Sequence, residues 1–182
     1  MRYYLSIALP EPLLSEVLAI EKQWQGHSKS TPHLTLVSPR LTDDLFSRVE
    51  LTNSLVEVAR TISPFAVIYG SLGWFNGWQK TIYLKVNRTV ELTDCQRRFS
   101  RVFKQQLFSP DAPERKRFTP HITLADHLDW RGARLASQQL HQLDLRGVFT
   151  CREVQLLEIE PTEAKWQVVA TIPLGGRSHN GD

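Results

Sequence analysis

The chain has 182 residues, 41% of them hydrophobic and 23% charged, with a formal net charge of +3. That length suits one domain, or two small lobes sharing a core, and the balance is that of an ordinary globular protein. No apolar run is long enough to span a bilayer, and the opening Arg2-Tyr3-Tyr4-Leu5-Ser6-Ile7-Ala8-Leu9 is too short and too polar for a signal peptide, so a cytoplasmic protein with no membrane partner is expected.

Tyr3 to Leu9 reads as a first strand, closed by Pro10 and Pro12. Glu11 to Trp24 reads as a helix, with Leu14, Val17, Leu18 and Ile20 at helical spacing, and Gly26 to Ser30 as a loop. A strand from Thr31 stops near Pro39. Asp43 to Ile62 is a second helix that Thr42 or Asp43 could cap. Phe65 to Leu72 and Thr81 to Val86 are strands on either side of an aromatic-rich turn, Gly73-Trp74-Phe75-Asn76-Gly77-Trp78. Val90 to Leu107 is a helix with Cys95, Phe99, Val102, Phe103 and Leu107 inward, broken by Ser109 to Pro113. Phe118 to Ala125 is a strand, Gly132 to Leu143 a shorter helix, and Val148 to Ile159 and Trp166 to Ile172 close the fold as strands. Residues 175–182 have the composition of a flexible tail.

Two of these strands carry nearly the same six residues: Thr31-Pro32-His33-Leu34-Thr35-Leu36 and Thr119-Pro120-His121-Ile122-Thr123-Leu124. Period-2 alternation puts Pro32, Leu34 and Leu36 on one face and Thr31, His33, Thr35 and Val37 on the other. In the second copy Phe118, Pro120, Ile122 and Leu124 oppose Arg117, Thr119, His121 and Thr123. The element order is strand, helix, motif strand, helix, and then the same again. This is an internal duplication carried by the motifs and by element order, with little residue identity elsewhere. It predicts an α+β fold: bilobal, with two pseudo-two-fold-related antiparallel sheets, helices packed outside and a central cleft. Residues 1–174 would form one domain of two interleaved lobes, roughly 1–62 with later strands and 65–174.

A repeat kept for packing needs the apolar positions; it does not need histidine and threonine twice on the opposite face. Histidine titrates near neutral pH, so a symmetric pair can give one proton and take another. Threonine hydroxyls can donate to non-bridging phosphate oxygens. Arg117 or Lys116 could add positive charge where a phosphorane builds negative charge. The toolkit suits acid–base chemistry on a phosphate ester. No set of carboxylates or cysteines joins the motifs, so no metal or other cofactor is implied. Cys95 falls on the apolar face of its helix, the side taken by Cys151 is open, and neither has a partner at metal-ligand spacing. Trp74, Phe75 and Trp78 could stack on a base at the cleft mouth. Tyr4 lies next to the cleft if the duplication holds. The basic residues Arg97, Arg98, Arg101 and Lys104 read as a solvated helix face.

The paired His-x-Thr motifs resemble the two-histidine (2H) phosphoesterase superfamily, in particular its branch of RNA 2′,3′-cyclic phosphodiesterases, also called 2′-5′ RNA ligases. The opening strand through Pro10, the stretch Arg117-Phe118-Thr119-Pro120-His121-Ile122-Thr123-Leu124-Ala125, and the closing Val154-Gln155-Leu156-Leu157 and Trp166-Gln167-Val168-Val169 are similar to that branch as well. The resemblance implies metal-free hydrolysis of a 2′,3′-cyclic phosphate to a 2′-phosphate, with a reverse 2′-5′ ligation. It implies His121 as proton acceptor, His33 as proton donor, and Thr35 and Thr123 as phosphate-binding residues. Arg117, Tyr4 and Trp74 are further substrate-binding candidates. The substrate would be RNA ends or nucleotide cyclic phosphates, with no obligate protein partner evident.

Two positions depart from the branch. Asp126 stands where an arginine usually follows the second motif, and Val37-Ser38-Pro39-Arg40 replaces an apolar run ending in glycine. Arg40 could restore the charge. The alternatives are a non-catalytic RNA- or nucleotide-binding module on the same fold, and a metal-dependent hydrolase using His33, His121 and His127.

Overall fold

The computed structural model describes residues 1–24, 30–42, 46–77, 80–107, 118–160, 162–163 and 165–175. Apolar alternation decides which face of each strand meets the helices. The first lobe opens with β1 (Arg2–Ala8), α1 (Leu13–Trp24), β2 (His33–Leu41) and α2 (Arg48–Arg60). The second follows with β3 (Phe65–Asn76), β4 (Lys80–Val86), α3 (Val90–Gln106), β5 (His121–Leu128) and α4 (Trp130–Leu140). The chain ends in β6 (Gly147–Cys151), β7 (Glu153–Ile159) and β8 (Gln167–Pro173).

All eight strands lie in one antiparallel sheet of order β6-β3-β4-β5-β2-β1-β7-β8. Its halves correspond about a two-fold: β5 to β2, β4 to β1, β3 to β7 and β6 to β8. The halves meet at a single bridging pair, Leu34 opposite Ile122. These are the equivalent residues of the two hexapeptides, as a dyad through an antiparallel pair requires. Both side chains are fully buried on the helix side, with Leu36 and Leu124 beside them. The helices cross the dyad: α1 packs on β5 and α3 packs on β2. Each lobe therefore lays a helix on the apolar underside of the other lobe's motif strand; the α+β architecture of two related halves is the one expected, but the two expected sheets are joined at the Leu34–Ile122 pair into one.

Several boundaries differ from the sequence reading for identifiable reasons. Gly73 does not open a turn. It lies across from Tyr83, and a Cβ there would meet the tyrosine ring at 2.4 Å, so the glycine makes room for a cross-strand ring and β3 runs on to Asn76. Trp78 and the helix breaker at 109–113 lie outside the described residues, as do Asp43 and residues 176–182 of the tail; Gly175 donates its N–H to the Ala59 carbonyl. The cap of α2 is Ser47, whose hydroxyl accepts from the Glu50 N–H. The expected strand from Val148 to Ile159 is two strands. At Arg152 the chain passes from β3's edge in one half to β1's edge in the other. Val37 joins the core rather than the histidine face. Leu5 pairs with Val37 and Ser6 with Thr35, so Leu36 is an extra bulged residue that turns Val37 over, and a second irregularity before Arg40 restores the original alternation there.

Among the described residues one buried carboxylate is out of keeping with its surroundings. Glu21 on α1 is 7% exposed, and burial pushes its carboxyl up to about 7 from an ordinary 4.5. The folded protein thus binds more protons than the unfolded chain between those values, so stability falls as pH rises from about 4.5 to about 7. Glu21→Gln should raise stability at pH 8 by roughly 1–3 kcal/mol and leave it unchanged at pH 4, as urea denaturation at the two pH values would read.

Candidate active site

The motif strands bring their polar faces together because their apolar faces share one buried pair. One register step to either side of Leu34 and Ile122 sets His33 toward Thr123 and Thr35 toward His121. The flanking strands extend these into two rows across the sheet. Tyr83 pairs with Thr123, and Ala8 with His33; Lys85 pairs with His121, and Ser6 with Thr35. The dyad exchanges one row for the other.

Each imidazole is anchored in the same way. His33 Nδ1 lies 2.8 Å from the Thr31 carbonyl oxygen, and His121 Nδ1 lies 2.8 Å from that of Thr119. A carbonyl only accepts, so each Nδ1 carries a proton and donates it, leaving Nε2 as the working nitrogen of the neutral ring. Thr35 Oγ1 is 3.0 Å from His33 Nε2 and donates to it in that state. Burial holds both histidines below the ordinary 6.5, because a desolvated ring resists charging. The carbonyl bonds act the other way. Repulsion from His121 lowers His33 further, while the Asp126 carboxylate raises His121. Two rings that feel each other's charge titrate as a pair.

Aromatic side chains wall each histidine. Tyr4 lies 5.1 Å from the His33 ring and meets Trp166 edge-on at 4.5 Å. Phe75 meets His121 edge-on at 4.8 Å, Tyr83 lies 5.2 Å from it, and Phe75 stacks on Tyr83 at 4.3 Å. The Tyr4 hydroxyl is pushed up to about 12 by burial and stays protonated at neutral pH.

The other candidates are placed as follows. Trp74 stands across from the core residue Ile82, on the opposite face of β3 from Phe75, so the aromatic beside His121 is Phe75. Arg117, with Arg115 and Lys116, lies outside the described residues. Arg40 stands across from Tyr3, a member of the core cluster, on the face away from the histidines. Arg97 and Arg98 both pair with Asp94. Asp126 accepts from the Thr81 hydroxyl and from the His127 N–H, and His127 is an exposed residue with φ 57°. Cys95 and Cys151 are both buried, and burial raises both thiols. Among the described residues no three His, Cys, Asp or Glu side chains converge in a way that could hold a metal ion. No helix among them is long and apolar enough to cross a membrane.

Sequence reasoning missed Lys85 and Ser6 and did not connect Tyr83 to the site. The signal was available in the alternation of Thr81-Ile82-Tyr83-Leu84-Lys85-Val86, but only the strand order reveals that β4 borders the second motif.

Known proteins share this fold and part of this sequence. The model of the 2′-5′ RNA ligase superfamily matches residues 10–163. A Bacillus cereus protein named "Putative phosphoesterase" is 33% identical over 122 residues, which cover 62% of this chain and 66% of that protein. A Bacillus mycoides counterpart is 32% identical over 112 residues, 60% of each chain. These alignments span less than two thirds of either relative. The structure of TT0787 from Thermus thermophilus superposes with a TM-score of 0.70 at 15% identity, covering 97% of this chain and 99% of that one. E. coli LigT complexed with 3′-AMP superposes with a TM-score of 0.59 at 16% identity, covering 96% and 98%. Likeness at that identity speaks to the fold, and the family match, which runs over most of the chain and takes in both motifs, speaks to descent: the chain belongs to the 2′-5′ RNA ligase (2H phosphoesterase) superfamily.

Proposed function

We propose that the protein hydrolyses 2′,3′-cyclic phosphate ends of RNA or nucleotides to 2′-phosphates without a metal, and that the same centre can run the reverse 2′-5′ ligation. One observation carries the reading: two imidazoles, one from each lobe, are anchored identically through Nδ1, leaving both Nε2 atoms as the working nitrogens of one cleft. Membership in a phosphoesterase superfamily supports it.

His121 Nε2 takes a proton from water, whose oxygen attacks phosphorus. The new P–O bond forms as the bond to the 3′ oxygen breaks, and His33 delivers its Nε2 proton to that oxygen. Charge and protons balance: water and the cyclic phosphate become a 2′-phosphate and a 3′-hydroxyl, and the two rings have exchanged protonation states. Thr35 and Thr123 donate to the non-bridging oxygens. When His33 is protonated its Nε2–H no longer needs the Thr35 hydrogen bond, which frees that hydroxyl for the phosphate. Tyr4 with Trp166 on one side and Phe75 with Tyr83 on the other exclude water and offer flat apolar walls for ribose or base. A 5′-hydroxyl in place of water gives the ligation.

His33→Ala and His121→Ala should each cut turnover of a 2′,3′-cyclic nucleotide by about 10²–10⁴-fold without loss of fold. Wild-type turnover should survive excess chelator. Turnover that needs zinc returned would replace this reading with metal-dependent hydrolysis, and tight nucleotide binding with no turnover would replace it with a binding module.

The proton inventory predicts the pH profile. The competent free enzyme holds one proton on the pair, and burial holds both rings below 6.5. The profile of kcat/KM should be a bell peaking below pH 6.5, falling on the alkaline side as His33 loses its proton and on the acid side as His121 gains one. A bound phosphate anion favours the protonated rings, so the kcat profile should sit at higher pH. A profile with no acid limb would remove the general base.

A further inference from the structure

The cyclic phosphate is an anion, and attack on it gathers more negative charge on the non-bridging oxygens. Some positive group should face them. The position after the second motif holds Asp126, a carboxylate engaged by Thr81 and by the His127 backbone. Arg40 lies on the other face of the sheet, across from Tyr3. Among the described residues of the two rows that contain the His/Thr quartet, one lysine or arginine is present: Lys85 on β4.

Its placement follows from register. Leu84 pairs with Ile122 and both are buried toward the helices, so Lys85 and its partner His121 project together from the opposite face. Cβ atoms of such directly opposed residues lie about 4.5–5.5 Å apart. The four-carbon stem of lysine is long enough to carry its ammonium past the His121 ring to a phosphoryl group held at Nε2. Lys85 is exposed, and no carboxylate pairs with it among the described residues. The dyad partner of Lys85 is Ala8, which stands across from His33, so the cation is present on one side of the cleft alone.

We propose that Lys85 is a substrate-binding residue whose ammonium pairs with a non-bridging oxygen of the reacting phosphoryl group beside His121. The role rests on the cyclic-phosphodiesterase reading of the cleft and adds to it a cation supplied by the neighbouring strand β4.

Inorganic phosphate, titrated calorimetrically into wild type, Lys85→Met and Lys85→Arg, tests the contact without needing turnover. Lys85→Met should weaken phosphate binding about 10-fold, with an unchanged melting temperature because the side chain is exposed. Lys85→Arg should restore most of it. In turnover of a 2′,3′-cyclic nucleotide, kcat/KM should fall by about 100-fold for Lys85→Met, and added salt should depress the wild-type rate more than that of the variant. Phosphate binding by Lys85→Met as tight as by wild type, or no phosphate binding by wild type, overturns the proposal even if cyclic phosphate is hydrolysed. Lys85-dependent phosphate binding in a wild-type protein that hydrolyses no cyclic phosphate would leave the anion contact standing and remove the enzymatic reading instead.

Discussion

One buried contact governs the rest of the molecule: Leu34 against Ile122, where the two motif strands cross. A two-fold axis can pass between antiparallel strands only at equivalent residues, and this pair supplies them. The contact fixes register, because a slip of one residue would carry either histidine into the helix layer and a leucine or isoleucine into the cleft. It is secured from beneath by α1 on β5 and α3 on β2. Each motif strand is thus covered by a helix of the other lobe, which makes the site a product of both.

The same burial that holds the strands sets the chemistry of the rings. Apolar and aromatic neighbours strip water from His33 and His121 and disfavour their charged forms. The backbone carbonyls of Thr31 and Thr119 answer part of that cost and select the tautomer. Proline before each histidine follows naturally, since the preceding threonine must sit at a strand entry with its carbonyl turned back on the ring two residues later. A sheet face in water would leave two ordinary histidines.

The architecture was legible because it is written in apolar alternation and in a repeated motif. Both hexapeptides are on adjacent central strands, and every expected helix is present. What was not legible depends on non-local geometry. Val37 alternates correctly with His33 and Thr35 in the sequence, yet one bulged residue returns it to the core. Gly73 has the local character of a turn, and only the Tyr83 ring lying over it explains why it sits in a strand. Trp74 and Phe75 are indistinguishable as stacking candidates until the register with Ile82 and Thr81 assigns them to opposite faces. Lys85 had no motif to mark it, and only strand order sets it beside His121.

A symmetric site poses a difficulty for an asymmetric reaction, since one imidazole must take a proton while its twin gives one. The dyad makes the rings equivalent in anchor and position, so the difference has to come from residues that break it. His121 has Asp126 five residues on, where His33 has Ser38. The carboxylate moves His121 toward a stronger base, whereas repulsion from His121 moves His33 toward a stronger acid in its protonated form. Both directions suit the proposed roles. They also carry a cost, because a proton shared by the pair is drawn toward His121, and the productive arrangement has it on His33. The Lys85 ammonium proposed beside His121 offsets that bias, because a second positive charge next to that ring disfavours its protonation and leaves the shared proton to His33.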